Sequence, residues 1–293
     1  MKQIVQRSLR LLSSGLLCCG VAAALCTACS DDGITPSPNN HLIEFPQGTN
    51  AYDQTIKGIY DQYGTQILYR YNEAMFRWQI TDLLTYYTKP ADEGYVAQAV
   101  DFLQDNCLSL YPKDSLRHYL PYRIYLAADL GRLFEYSGQD AAGNSVNTRD
   151  TLWHTAATNG YDNLCFALAS PRIATLSADS LKLAKGELNA ALISYCIGRG
   201  IMAVPAAFSK EEVSGVAWNN YIGSYNTYGL IEYLNPKTFT AAQDFAIFVK
   251  YLIAYTDDEF NARFTVKSFD TSGRIARKAK AVREWLNATL NEK

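Results

Sequence analysis

Apolar positions along this chain recur at two spacings, and each spacing predicts a different element. Residues 51–63 place Ile56, Ile59, Tyr60 and Tyr63 three or four apart, one face of a helix, and Gly64 ends the run. Residues 66–71 (QILYRY) read as a strand. Over 92–107, Val96, Val100, Leu103 and Cys107 form a clearer helical stripe. Asp92 and Glu93 sit in its first turn, where the helix dipole favours acids. After Pro121, Tyr122, Ile124 and Leu126 alternate with Arg123 and Tyr125, which predicts a second strand. The polar stretch 137–149, with Gly138, Gly143 and Asn144, predicts a loop, and 163–169 (NLCFALA) a third strand stopped by Ser170-Pro171.

The most regular helix in the middle of the chain is 177–197, with Leu181, Ala184, Leu188, Leu192 and Tyr195 as its stripe and Gly198 at its close. Gly186 interrupts its interior at a cost of about 1 kcal/mol relative to alanine, so that position demands a reason. Two further helices follow. Residues 240–255 turn Phe245, Phe248, Val249 and Leu252 inward, and 274–290 turn Ile275, Val282, Leu286 and Leu290. Three or four short strands and at least five helices predict a helix-rich α+β domain with a small sheet.

The start of the chain follows another pattern. Lys2, Arg7 and Arg10 precede an apolar run over 11–25 with no acidic residue among them, the layout of a secretory signal whose core is short for a membrane span. The run ends in Leu25-Cys26-Thr27-Ala28-Cys29, which resembles the lipobox of bacterial lipoproteins, although Cys26 stands where leucine is usual. The resemblance implies that Cys29 receives diacylglycerol and becomes the new N-terminus; a plain cleaved signal with a free Cys29 is the alternative. Ser30-Asp31-Asp32-Gly33 and the proline-containing stretch after it bury too little apolar surface to fold. The expected organisation is a signal peptide over 1–28, a flexible tether over 29–48 and one domain over 49–293. Cys-Ser-Asp-Asp is also similar to the acidic signal that sends Bacteroidetes lipoproteins to the outer cell surface. An outer-membrane, surface-exposed lipoprotein is therefore expected, held to the membrane by its lipid.

Removing residues 1–28 takes three of the 27 basic residues and none of the 29 acidic ones, leaving a net charge of about −5. No basic face is implied, and nucleic acid is excluded as an expected partner. Cys107, Cys165 and Cys196 remain in the domain at wide spacing and in apolar surroundings, which reads as small core residues. The 21 tyrosines fall mostly at core-facing spacing, so they read as packing before they read as a sugar platform.

The order helix, strand, helix, strand, loop, strand, long helix resembles zincin metallopeptidases. More specifically, the chain is similar to the zinc-binding metallopeptidase lipoproteins of Bacteroidetes, many of which accompany TonB-dependent importers. Four segments carry the likeness: 60–77 (YDQYGTQILYRYNEAMFR), 96–126, 185–195, and 228–251. In the last, YGLIEYLNPKTFTAAQDFAIFVKY parallels Gly-Phe-Val-Ser-x-Tyr-Ala followed by Glu-Asp-Phe-Ala-Glu. The resemblance implies a zincin-like scaffold with a central active-site helix carrying H-E-x-x-H. Two histidines four apart share a helix face and bind one Zn²⁺, and the glutamate between them activates the bound water. Here that stretch reads Gly186-Glu187-Leu188-Asn189-Ala190. Glu187 stands in the catalytic position as a vestige, Gly186 and Ala190 replace the histidines, and Gln243 replaces the acid that the resemblance suggests as third ligand. The zinc expected of the family has no ligand set, so no metal or other cofactor is expected.

Only His41, His118 and His154 occur in the whole chain, and no pair has ligand spacing. His41 lies in the tether, His118 reads as a solvated loop residue, and His154 as packing or surface. Asp244 reads as a local hydrogen-bonding or capping residue, and no chemistry is assigned to it. Glu211-Glu212 and Asp257-Asp258-Glu259 read as solvated faces, because adjacent residues do not face each other. The reading that follows is an inactive metallopeptidase-like lipoprotein that binds a peptide or glycan beside TonB-dependent importer components. An active metallohydrolase or peptidase with relocated residues is the alternative, and a purely structural envelope protein a third.

Overall fold

The computed structural model describes residues 45–77, 86–139, 142–212, 225–234 and 239–290. The expected signal peptide, Cys29, His41 and the expected tether up to residue 44 lie outside the described residues. One of two compact units begins at Phe45. Near its start, the Gln47 side-chain oxygen accepts the backbone N–H groups of Tyr69 (2.8 Å) and Arg70 (2.9 Å).

The first helix, α1 (Ala51–Tyr63), starts on a capping box between Asn50 and Asp53 and ends on Gly64 in the left-handed region, φ 78°. Only glycine adopts that conformation without cost. Asp53 is fully buried and does two jobs: it accepts the Asn50 N–H at 2.8 Å and the Tyr69 hydroxyl at 2.8 Å. Asp53→Ala removes the cap and leaves that hydroxyl unpaired, so it is expected to lower stability by about 2–3 kcal/mol. Urea unfolding checks this, and Tyr69→Phe in the Asp53→Ala background should recover part of the loss.

The strands are β1 (Gln66–Leu68), β2 (Tyr86–Pro90), β3 (Arg123–Gln139), β4 (Ser145–Leu152), β5 (Ala157–Asn159) and β6 (Asn163–Phe166). A small sheet runs β1-β3-β6-β5; β1, β3 and β6 are parallel and β5 is an antiparallel edge. Its register pairs Ile67 with Ile124, and Ile124 with Leu164. Past Leu126, β3 leaves this sheet and continues as the centre of a ribbon, antiparallel to β2 and to β4. The loop expected over 137–149 is therefore a hairpin: Gln139 pairs with Ser145 and Glu135 with Arg149. Residues 138–139, 145–147 and 150–152 are exposed or half-buried and lack the apolar alternation that marks a strand. Two other boundaries shift. The expected strand 66–71 stops at Leu68, and the expected helix 92–107 begins as a 3₁₀ turn, Glu93–Tyr95, capped by the Asp92 carboxylate on the Gly94 N–H.

The helices after α1 are α2 (Glu73–Arg77), α3 (Val96–Asn106), α4 (Lys113–Tyr119), α5 (Arg172–Thr175), α6 (Ala178–Gly198), α7 (Ala206–Ser209), α8 (Ala241–Ala254), α9 (Asp257–Phe264) and α10 (Arg274–Leu290). The domain is α+β and helix-rich, and α6 runs through its middle. Leu188 and Leu192 of α6 join the core formed with the sheet, α1 and α3, while Ala190 and Ile193 join a second core with α8, α10 and Phe208. A helix buried on two sides is apolar on two sides, so α6 carries Ala190 and Ile193 in addition to the expected stripe through Leu188 and Leu192. Cys107, Cys165 and Cys196 are buried free thiols, the first and last of them in the core with the sheet; burial pushes Cys107 and Cys196 up to about 12, which keeps them protonated and inert.

Candidate functional site

Glu187 projects from α6 toward β5 and α8. One carboxylate oxygen accepts the Ala156 N–H at 2.8 Å, and the other lies 3.5 Å from the Lys250 ammonium. Lys250, on α8, donates to Glu232 at 2.8 Å, and the Tyr251 hydroxyl donates to the same Glu232 oxygen at 2.8 Å. Burial works against the Lys250 charge, but Glu232 and Glu187 outweigh it and hold its pKa above the ordinary value. Burial and the Glu232 charge likewise push the Tyr251 phenol up. A fixed ammonium thus lies between two carboxylates, where a bound cation would otherwise be needed to relieve them.

Gly186 and Ala190 both face α8. A Cβ built on Gly186 would fall 2.2 Å from the Lys250 carbonyl oxygen and 3.1 Å from the Ala254 Cβ. Glycine is required here because two helix backbones approach at this point, and that is what offsets its intrinsic cost in a helix. Ala190 is buried in the second core. Neither position offers a zinc ion a lone pair, and position 186 has no room for a ligating side chain, so the residues present do not fit the metal that the resemblance implies. Among the described residues, no group of three or more His, Cys, Asp or Glu side chains is placed to hold a metal ion. Gln243 is not gathered with Glu187. It closes the capping box of α8, accepting the Thr240 N–H at 2.9 Å, and lies roughly 10 Å along the helix axis from Lys250.

Two other expectations, for His118 and Glu212, are corrected by the structure, while Asp257 and Asp258 are exposed as expected. His118 is exposed but sits in the last turn of α4, not in a loop, at an end where the helix dipole favours a cation. Glu212 is half-buried, and burial raises its carboxyl above the usual range; Glu211 pairs with Arg277 at 2.9 Å. Asp257, Asp258 and Glu259 form the first turn of α9. There Glu259 closes a capping box with Thr256 and bonds Lys182, which hold its carboxyl down at about 2.

A second cluster carries no sequence motif. Asp129 of β3 is buried at 7 % exposure, and its carboxylate gathers groups from four segments. One oxygen accepts the Leu130 N–H (3.0 Å) and the His154 N–H (3.2 Å), with His154 Nδ1 at 3.2 Å and an Arg172 guanidinium nitrogen at 3.4 Å. The other oxygen lies 3.6 Å from the Lys89 ammonium, which itself sits 4.2 Å above the Trp153 ring. His154 takes φ 76°, and is the one non-glycine residue with positive φ among the described residues. The cluster lies just past Leu126 and Phe166, where the parallel pairing of β3 and β6 ends. A buried aspartate inside the apolar run Leu126 to Leu133 was the one signal in the sequence. Its partners, 25 to 43 residues away, had none. No protein-family model, no curated protein and no solved structure matches this chain.

Proposed function

We propose that this chain is a lipid-anchored outer-surface protein on a metallopeptidase-like scaffold that binds a peptide or glycan without cutting it, beside a TonB-dependent importer. The observation that carries the non-catalytic reading is the contact at Gly186. The face of α6 that would present two imidazoles is packed against the α8 backbone, and Glu187 is engaged by Ala156 and Lys250 instead of facing a metal-bound water. The signal-like start, the small residue before Cys29 and the acidic residues after it support the lipid anchor and the surface location. No helix among the described residues is long and apolar enough to cross a membrane. The order of helices and strands from α1 to α6 supports the scaffold.

The test is elemental analysis of the purified protein together with a casein-cleavage assay. Neither stoichiometric zinc nor chelator-sensitive cleavage is expected, and either one defeats the reading. Glu187→Ala bears on the alternative of a hydrolase with relocated residues. As a structural acceptor, Glu187 should cost about 1–2 kcal/mol of stability when removed, because the Ala156 N–H loses its partner. A hydrolytic activity abolished by Glu187→Ala in a protein of unchanged melting temperature would favour the enzyme instead.

A further inference from the structure

We infer that the Asp129 cluster is a binding site for a carboxylate group on a captured ligand, with Arg172 and Lys89 as its donors, His154 beside them, and Asp129 as the residue that positions them. Charge is the first argument. Two fixed cations, Lys89 and Arg172, face a single carboxylate, so the cluster carries an excess positive charge that matches a monoanion. Geometry is the second. Asp129 meets its cations at 3.4 and 3.6 Å, longer than the charge-assisted bonds it could form with either one alone. It draws them together without saturating them. Arg172 uses one guanidinium nitrogen on Asp129, and a guanidinium has five N–H groups in a fork suited to a second carboxylate.

Access is the third argument. The side chains of Lys89 and His154 are 61 % and 60 % exposed, while Asp129 behind them is only 10 % exposed. Lys89 is therefore open to solvent and Arg172, at 28 %, partly so, while the organising acid is covered. His154 closes the cluster by turning Nδ1 to Asp129. Its left-handed backbone is tolerated by histidine at modest cost, and such outliers concentrate at binding sites. The position is the fourth argument: ligands of α/β sheets bind beyond the carboxyl ends of parallel strands, which is where β3 and β6 deliver this cluster. Ser170, between β6 and Arg172, keeps a buried hydroxyl without a partner among the described residues. This site is separate from Glu187 and does not depend on the metallopeptidase resemblance.

The test is calorimetric titration of the purified protein at low ionic strength, where screening is least. The probes are an acetylated dipeptide with a free C-terminal carboxylate, the same dipeptide amidated, glucuronate, and inorganic phosphate. Saturable binding of the free-carboxylate dipeptide or of glucuronate is expected, with Kd about 1 mM or tighter. The better of the two identifies a peptide terminus or an acidic sugar as the source. Arg172→Gln and Lys89→Gln should each weaken binding roughly tenfold, one lost charge-assisted contact, and Lys280→Gln, on an exposed face of α10, should leave it unchanged. Lys89→Gln keeps the test valid should Arg172→Gln fail to fold. The inference is overturned if no carboxylate binds saturably, if the amide binds as well as the acid, if phosphate binds more tightly than every carboxylate, or if folded Lys89→Gln binds like the parent. Because neither zinc nor cleavage is read, its failure is distinct from failure of the non-catalytic reading.

Discussion

Restoring the histidines that the resemblance calls for, by Gly186→His with Ala190→His, is expected to unfold the domain and not to create a zinc site. Even the first atom of a side chain at 186 lands 2.2 Å from the Lys250 carbonyl oxygen, and that oxygen is backbone, unable to rotate aside. Gly186→Ala separates the two effects at this position. Helix propensity favours alanine by about 1 kcal/mol, while forcing a methyl into a closed contact costs about 1–3 kcal/mol or more. The contact dominates, because moving α8 away would open gaps among Ala190, Ile193, Phe245 and Phe248 along the second core. A net loss of about 2 kcal/mol is expected for Gly186→Ala, and more than about 4 kcal/mol once an imidazole is added. Urea midpoints measure both. If Gly186→Ala is stabilising by its propensity gain, the helices do not approach at this point. If the double histidine variant folds and takes up one zinc per chain, the old cleft is still open and the non-catalytic reading falls with it.

The long helices were legible because their apolar positions repeat with the helix period, and two of them start on side-chain caps: Ser177 on the Ser180 N–H, and Thr240 with Gln243. What failed was local pattern without local cause. The β3–β4 ribbon has Gly138, Asn144 and charged positions along strands that are held by pairing with each other, so its sequence reads as a loop. At three residues, β5 is shorter than any period that could announce it. The cost of Gly186 was visible in the sequence, but its reason, the carbonyl of Lys250, lies 64 residues downstream. The two candidate sites divide in the same way. Glu187 was found through a motif on one helix, whereas Lys250 and Glu232 beside it, and the whole Asp129 cluster, are assembled only by the tertiary fold.

Lys278→Met is the substitution with the largest expected loss outside α6, and the loss should depend on pH in a direction fixed by Asp244. Lys278 is 1 % exposed; its ammonium donates to Asp244 at 2.6 Å and to the Gly229 carbonyl at 3.2 Å, and lies against the Phe208 and Phe248 rings. Removing it strands Asp244 in the second core, where one of its oxygens already has no partner among the described residues. Breaking a buried pair from one side costs about 3–5 kcal/mol, whereas replacing both members with apolar residues is often neutral or better. Asp244→Leu with Lys278→Met should therefore recover most of what the single change loses. Burial raises the Asp244 carboxyl from 3.8 to about 6, against the downward pull of Lys278. Over that window the folded chain keeps a proton that the unfolded chain has released. The contribution of this group to stability is thus full below pH 3.8 and declines as pH rises through about 6. Without Lys278 the pull is gone and the carboxyl stays neutral to still higher pH; half-buried Glu212, also held down by Lys278, moves the same way. At pH about 5 the variant can meet the loss by protonation, and at pH about 8 it must carry an unpaired buried charge, so the penalty should be small at the lower pH and approach the full range at the higher. Urea unfolding of both variants at the two pH values reads this directly. Equal penalties at both would mean that Asp244 does not hold a proton in the folded core.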